Sequence, residues 1–352
     1  MSKGRKDKRY ILQKIRMRAA EKAMRKRNNR RKYKVHQKPN THSFVIPKDT
    51  KPIIDVPRDF RLIDNRETCL EFFRLLRNDN AISIYRNRRF VRITLKDVQQ
   101  MDYAAISVLT AISDELKSNG ITITGDFPRD EDCKQFILES GFLNHMYDEN
   151  NRPFPKSEKS EMIFFEKGCG TLSEDDNRKI SNIVKNVVGH LTGVPKHNQS
   201  IKTILLEICG NSIEWSGTKN KQWLLGVKYD NNKVTFTVVD VGKGILETLY
   251  RKFGRRAKDF LTLKTEADVL LGAFDKKYGS TTQQVNRNKG LPSVKANYQD
   301  GKIKNLIVLT NNVILHFANQ EKTKTFANKS PRFKGTFYQW EMDSNCINNK
   351  NL

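Results

Sequence analysis

The chain has 352 residues, and 65 Lys or Arg against 39 Asp or Glu give it a formal net charge of +26 at pH 7. Apolar residues make up 37%, enough for folded cores under a very polar surface, and with no run of eighteen apolar residues no membrane-spanning helix is expected. The basic start lacks a following apolar core, so a secretory signal is not expected. Five scattered cysteines without a Cys-x-x-Cys pair argue against a zinc site or a disulfide framework and for a reducing cytoplasm.

Residues 1–40 hold seventeen Lys or Arg against Asp7 and Glu21, a local net of +15 that leaves +11 for the remaining 312 residues. A segment this charged buries little by itself, so 1–45 reads as a basic tail, disordered or a solvated helix until it meets an anionic partner. Nucleic acid is the first partner to consider, because neutralised phosphates release counterions. Tyr10 and Tyr33 are the only aromatics there, which argues against base stacking and sequence-specific readout. An anionic membrane surface and a plain solubilising tail stay open as alternatives.

From 55 to 147, strands and helices alternate. Phe90–Leu95 reads as a strand, Tyr103–Lys117 as a helix with apolar spacing through Ile106, Leu109 and Ile112, Ile121–Gly125 as a second short strand, and Glu131–Glu139 as a second helix. This is the pattern of a small α/β domain. Residues 148–160 are polar and carry Pro153 and Pro155, marking a linker. Ser173-Glu-Asp-Asp then opens a helix whose apolar stripe, Ile180, Ile183, Val184, Val187 and Val188, is suited to packing on a sheet. His190 reads as a helix-end residue before Gly193.

Three pieces carry chemistry. Glu207 and Asn211 stand four apart on a helix and share a face, while Ile204, Leu205 and Ile208 turn toward burial. Lys233–Asp240 is rich in β-branched residues and ends on a carboxylate, after which Gly242 and Gly244 let the chain turn sharply. An aspartate so placed can accept a hydrogen bond from an exocyclic amine, and the missing side chains admit a planar base. Ser280–Gly290 is long, polar and rich in hydroxyls, as in a loop that covers phosphate. Farther on, Gly335-Thr336 opens an apolar strand pattern.

With Glu-x-x-x-Asn at 207–211, Asp-x-Gly-x-Gly at 240–244, a lid ending at Lys289-Gly290 and a closing strand at Gly335-Thr336, the chain resembles the GHKL superfamily of ATPases and kinases, which includes anti-sigma factor kinases. The motifs run in family order over about 140 residues, although Asn288 stands where the family's lid has a glycine. The resemblance implies ATP with Mg2+ as the ligand. It implies Glu207 as the general base that orients water or an acceptor hydroxyl, Asn211 as a magnesium ligand, and Asp240 as the reader of adenine. Gly242, Gly244, Lys289, Gly290 and Thr336 would complete the nucleotide site.

The stretch from Val98-Gln-Gln-Met-Asp102 through the following helix, turn and strand resembles a STAS domain, the fold of anti-sigma factor antagonists. The position that is phosphorylated in regulated members aligns with Ala104, which has no hydroxyl, and Ser107 lies one turn along. The upstream unit therefore reads as a docking or scaffolding module. The expected fold class is α/β and α+β: a small STAS-like α/β domain at 55–147, then a two-layer α/β sandwich of the GHKL type at 161–345, with 346–352 as a tail. The expected function is a cytoplasmic, ATP-binding regulator with Mg-dependent ATPase or protein serine/threonine kinase activity. A STAS-type or sigma-factor-like protein is its expected partner, and a homodimer is left open. The alternative is a nonenzymatic, nucleotide-dependent adaptor that binds protein partners, or nucleic acid through its basic tail.

Overall fold

The computed structural model describes residues 53–85, 87–146, 154, 163–169, 172–215, 222–251, 265–275, 290–327 and 329–348. The basic tail, the linker 148–160 apart from Phe154, and Lys289 with the rest of the lid before Gly290 lie outside the described residues.

The first half contains β1 (Ile54–Asp55), β2 (Asp59–Phe60), α1 (Arg66–Leu76), β3 (Ser83–Tyr85), β4 (Arg88–Thr94), β5 (Gln100–Met101), α2 (Tyr103–Ser118), β6 (Ile121–Thr124) and α3 (Glu131–Glu139). Strand β4 is its hub, parallel to β1 and β6 and antiparallel to β3. Helix α2 starts where the Asp102 side chain accepts from the Ala105 N–H at 2.7 Å, satisfying one of the first turn's orphan donors. Asp130 caps α3 the same way, through the Cys133 N–H at 2.9 Å. Every residue of α2 from Tyr103 to Ser113 is buried. A helix apolar on all sides needs a partner on each side. One side of α2 is met by α1 and β6, and the other by the large sheet of the second half.

That second half contains β7 (Ile163–Cys169), α4 (Glu174–Thr192), α5 (Gln199–Trp215), β8 (Gln222–Asp230), β9 (Lys233–Asp240), a helix α6 over 245–251, α7 (Glu266–Phe274), α8 (Gly290–Gln299), β10 (Lys304–Asn311), β11 (Val313–His316), β12 (Lys324–Thr325), β13 (Phe333–Asp343) and α9 (Ser344–Asn348). Seven strands form one sheet in the order β12-β11-β10-β13-β9-β8-β7, with every neighbouring pair antiparallel. The fold is thus mixed, with helices layered on an antiparallel sheet.

The period-two alternation of β9 and β13 explains how this sheet is covered. Val234, Phe236 and Val238, with Tyr338, Trp340 and Met342, join Ile180, Val184, Val187, Ile204, Leu205 and Ile208 of α4 and α5 in one core. Phe236 and Trp340 stack there, ring centroids 5.1 Å apart and nearly coplanar in tilt at 7°. From the opposite face, Leu224, Val239, Leu309, Phe333 and Phe337 enter the core of the first half beside Ala105, Val108 and Ile112. A strand buried on both faces reads as a near-continuous apolar run, and Val-Thr-Phe-Thr-Val-Val in β9 is one.

Polar ties reinforce this second contact. The buried Ser107 hydroxyl lies 2.9 Å from Thr237 Oγ1 and donates to the Tyr103 carbonyl at 2.6 Å. Arg77, just past α1, donates from Nη1 to the Lys334 carbonyl and from Nη2 to the Val241 carbonyl, both at 2.8 Å, while pairing with Glu115 at 2.8 Å. The stretches 55–147 and 161–345 are consequently two halves of one compact unit, residues 46–352, because the outer face of the large sheet is too apolar to stand in water. Residues 344–348 form α9, started by Asp343 accepting from the Cys346 N–H at 3.2 Å and anchored by the buried Cys346 side chain. Among the described residues no helix is long and apolar enough to cross a membrane.

Candidate functional site

Helix α5 buries Ile201, Ile204, Leu205, Ile208 and Cys209 and leaves Glu207 and Asn211 half-buried on another face. Cys209 is completely enclosed, and burial holds its thiol far above the usual range, so it is a small apolar filler rather than a reactive group. Asn211 Nδ2 is buried without a hydrogen-bond partner among the described residues. Gly290, the first residue of α8, packs directly on the Asn211 side chain. The start of α8 and the C-terminal part of α5 therefore meet, though 79 positions separate Asn211 from Gly290 in sequence.

Strand β9 delivers Asp240 to the same place. Asp240 pairs with Thr336 in the β9–β13 register, and its Oδ1 accepts from the Gly242 N–H at 3.0 Å. Burial pushes the Asp240 carboxyl up to about 7, against the opposing pull of the Gly242 N–H, the Thr336 hydroxyl and the Arg77 guanidinium. After Gly242 the chain turns through Gly244, whose φ of +84° is the left-handed region, and enters α6. A Cβ on Gly244 would lie 2.5 Å from Asn311 Oδ1 and 2.7 Å from Thr310 Oγ1.

Those two side chains are supports of the turn after Asp240 that motif reading missed. Thr310 Oγ1 accepts from the Ile245 N–H at 2.9 Å and donates to the Gly335 carbonyl at 2.9 Å. Asn311 Oδ1 accepts from the N–H groups of Leu246 and Glu247 at 3.1 and 3.3 Å, and its Nδ2 donates to the Lys243 carbonyl at 2.8 Å. Together they cap α6 and fix the turn after Asp240, from a strand some 65 residues downstream. No local spacing could have announced them. Arg77 is a third such support, since it grips the carbonyls of Val241 and Lys334 beside Asp240 and Thr336. Replacing Arg77 by Ala strands two carbonyls and the Glu115 carboxylate. The expected loss is about 2 kcal/mol in urea unfolding, with little rescue by Lys, which lacks the forked donor geometry.

Asn211, Ser212, Asp240, Ile245, Leu249, Leu291, Thr336 and Tyr338 line a small cavity of about 30 Å³. Three of the residues singled out in sequence, Asn211, Asp240 and Thr336, thus share one chamber. Gly290 packs on Asn211 and the Gly242 N–H holds Asp240, while Gly244 lies in the turn beside Thr310 and Asn311, and Glu207 stands one turn before Asn211 without lining the cavity. The space suits one water rather than a base. Leu249 of α6 and Leu291 of α8 form its apolar walls together with Ile245.

Other groups lie outside this chamber. His190 Nε2 donates to the Asp230 carbonyl at 2.6 Å and its ring meets the edge of Tyr229, beside the left-handed Gly193 that ends α4. Ala104 and Ser107 are buried between the two halves, so neither position is open to a phosphoryl donor. Among the described residues, no cluster of three or more His, Cys, Asp and Glu is arranged to hold a metal. No protein-family model matches this sequence, and no curated protein is significantly similar to it.

Proposed function

We propose that the second half is a GHKL-type nucleotide-binding module that takes ATP with Mg2+, and that the first half is a STAS-like unit fused to the back of its sheet. The observation that carries this reading is the chamber itself: residues matching three separate family motifs line it, and Gly290 from a fourth packs against Asn211. A buried carboxylate paired with a threonine hydroxyl suits an exocyclic amine and ring nitrogen, and the apolar walls Ile245 and Leu249 suit a base face. The Asn211 amide, without a partner among the described residues, fits a site that also takes phosphate, and its Oδ1 would hold Mg2+, which neutralises phosphate charge when bound.

Glu207, four residues before Asn211, would accept the proton of the attacking hydroxyl and hold it for in-line attack on the terminal phosphoryl group. With Ala104 carrying no hydroxyl and Ser107 sealed, that nucleophile is water or a serine or threonine on another protein, such as a STAS-type or sigma-factor-like regulator. The basic residues 1–40 supply an electrostatic foothold on nucleic acid in either case.

The direct test is ATP binding and phosphate release with Mg2+ for wild type beside Glu207→Ala. We expect the variant to keep nucleotide affinity within about threefold and to lose turnover by roughly 10²- to 10⁴-fold. Binding without release in wild type would identify a kinase awaiting its acceptor or a nonenzymatic adaptor. No binding at millimolar ATP would overturn the proposal.

A further inference from the structure

The carboxyl group at the centre of the chamber is steadied from the other half of the molecule. Arg77 follows directly on the last turn of α1, where Phe72, Phe73 and Leu76 are buried in the core of the first half, so its backbone is firmly mounted. Its guanidinium reaches the large sheet just past the last register pair of β9 and β13, Asp240 with Thr336. There Nη2 donates to the Val241 carbonyl and Nη1 to the Lys334 carbonyl, both at 2.8 Å. Glu115 of α2 also accepts from Nη2 at 2.8 Å and ties the guanidinium to that helix.

The Val241 carbonyl and the Gly242 N–H belong to one planar peptide unit. Arg77 grips that unit at its oxygen, and Asp240 Oδ1 accepts from its N–H at 3.0 Å. A rotation of this peptide therefore disturbs both bonds together. With a cation on its carbonyl and a carboxyl oxygen on its N–H, each bond polarises the unit in the sense that strengthens the other. The opposite strand is held in a similar way. Arg77 bonds the Lys334 carbonyl and Thr310 Oγ1 donates to the Gly335 carbonyl at 2.9 Å, which fixes the two peptide units that lead into Thr336.

From this geometry we infer that Arg77 is a positioning residue of the chamber and sets its selectivity: it aims Asp240 through the Val241–Gly242 peptide, so that a base carrying an exocyclic amine is favoured over one without. The residues that line the chamber come from the second half, and Arg77 brings the first half into the site. The guanidinium is near enough to Asp240 for its charge to oppose the burial of that carboxyl. The selectivity rests on the nucleotide reading above, whereas the aiming of Asp240 is a property of the protein without ligand.

The test compares, on the full chain, the binding of ADP and of purine riboside 5′-diphosphate, which is ADP without its exocyclic amine. Wild type, Arg77→Lys and Arg77→Gln are measured, with Gly193→Ala as a destabilised control outside the chamber. We expect wild type to prefer ADP by about tenfold or more, because the analogue leaves Asp240 without its donor. Both Arg77 variants should bring the preference below about threefold, the lysine because it lacks the forked geometry, while Gly193→Ala keeps it. Should the Arg77 variants not fold, Glu115→Gln, which weakens the hold on the guanidinium, is expected to lower the preference about twofold, and an unchanged ratio there overturns the inference. No preference in wild type, equal weakening of both nucleotides, or an unchanged ratio in the Arg77 variants would reduce Arg77 to a structural tie and overturn it too. Hydrogen–deuterium exchange of the ligand-free protein decides the positioning by itself. The Gly242 amide should exchange roughly tenfold faster in Arg77→Gln, or in Glu115→Gln, than in wild type, and an equal rate would overturn the aiming of Asp240. Absence of ADP binding in every sample would sink the nucleotide reading and the selectivity with it, with the Gly242 rate still deciding whether Arg77 aims Asp240.

Discussion

Asp240→Asn is expected to weaken nucleotide binding by about 10- to 100-fold while making the protein more stable at pH 8. On the proposed reading the affinity loss follows because, at pH 8 where the carboxyl is mostly ionised, an amide would replace the charged acceptor of the exocyclic amine, and hydrogen bonds to charged groups are worth roughly 1.5–3 kcal/mol. The stability gain follows from proton linkage. With its carboxyl raised to about 7 in the fold and near 3.8 in the unfolded chain, Asp240 holds a proton in the native state between those values but not in the unfolded state. Stability from this group is complete below about pH 4 and is lost as pH rises through 7. Three pKa units correspond to at most about 4 kcal/mol of that loss. Asn carries no titration, so the gain over wild type should grow from pH 4 to 8 in scanning calorimetry and stay flat above. A variant less stable than wild type at pH 8, or one binding ADP normally, would remove Asp240 from the role given to it.

Gly335→Ala should be the most damaging single-methyl change in the second half. Gly335 has φ of +143°, a conformation that side chains rarely adopt, and a Cβ there would overlap the Asp240 carbonyl oxygen across the β9–β13 pair. Its own carbonyl accepts from Thr310 Oγ1, so displacing it also disturbs the support of the turn into α6. We expect a loss of roughly 3–5 kcal/mol in urea unfolding, together with loss of nucleotide binding. Gly193→Ala supplies the contrast. It is also left-handed, at φ of +77°, but a Cβ there meets nothing within 4 Å, and it should cost only about 1 kcal/mol. Similar losses at the two positions would show that backbone conformation, not the approach to Asp240, sets the penalty.

Elements with a strong local signal were legible in the sequence. The helix read over 103–117 runs to Ser118, the strand read over 90–95 lies at Arg88–Thr94, and Glu131–Glu139 and Lys233–Asp240 are found at the bounds expected. Ser173 opens α4 with a reciprocal pair of bonds to Asp176, as its acidic first turn suggested. Cross-sheet relations were not legible. Thr310, Asn311 and Arg77 act through contacts made only when distant segments are assembled, and an isolated Thr, Asn or Arg has no pattern. The fusion of the two halves was hidden for a related reason. The apolar face of β9 and β13 looks the same whether a helix layer, a second domain or another chain will cover it.

The burial of the large sheet on both sides has a consequence for how the molecule opens. Strand β13 lies between β10 and β9, with Phe333 and Phe337 in one core and Tyr338, Trp340 and Met342 in the other. Its amides can exchange with solvent only when both helical layers have let go, so they should be the slowest in hydrogen–deuterium exchange and report the global opening energy.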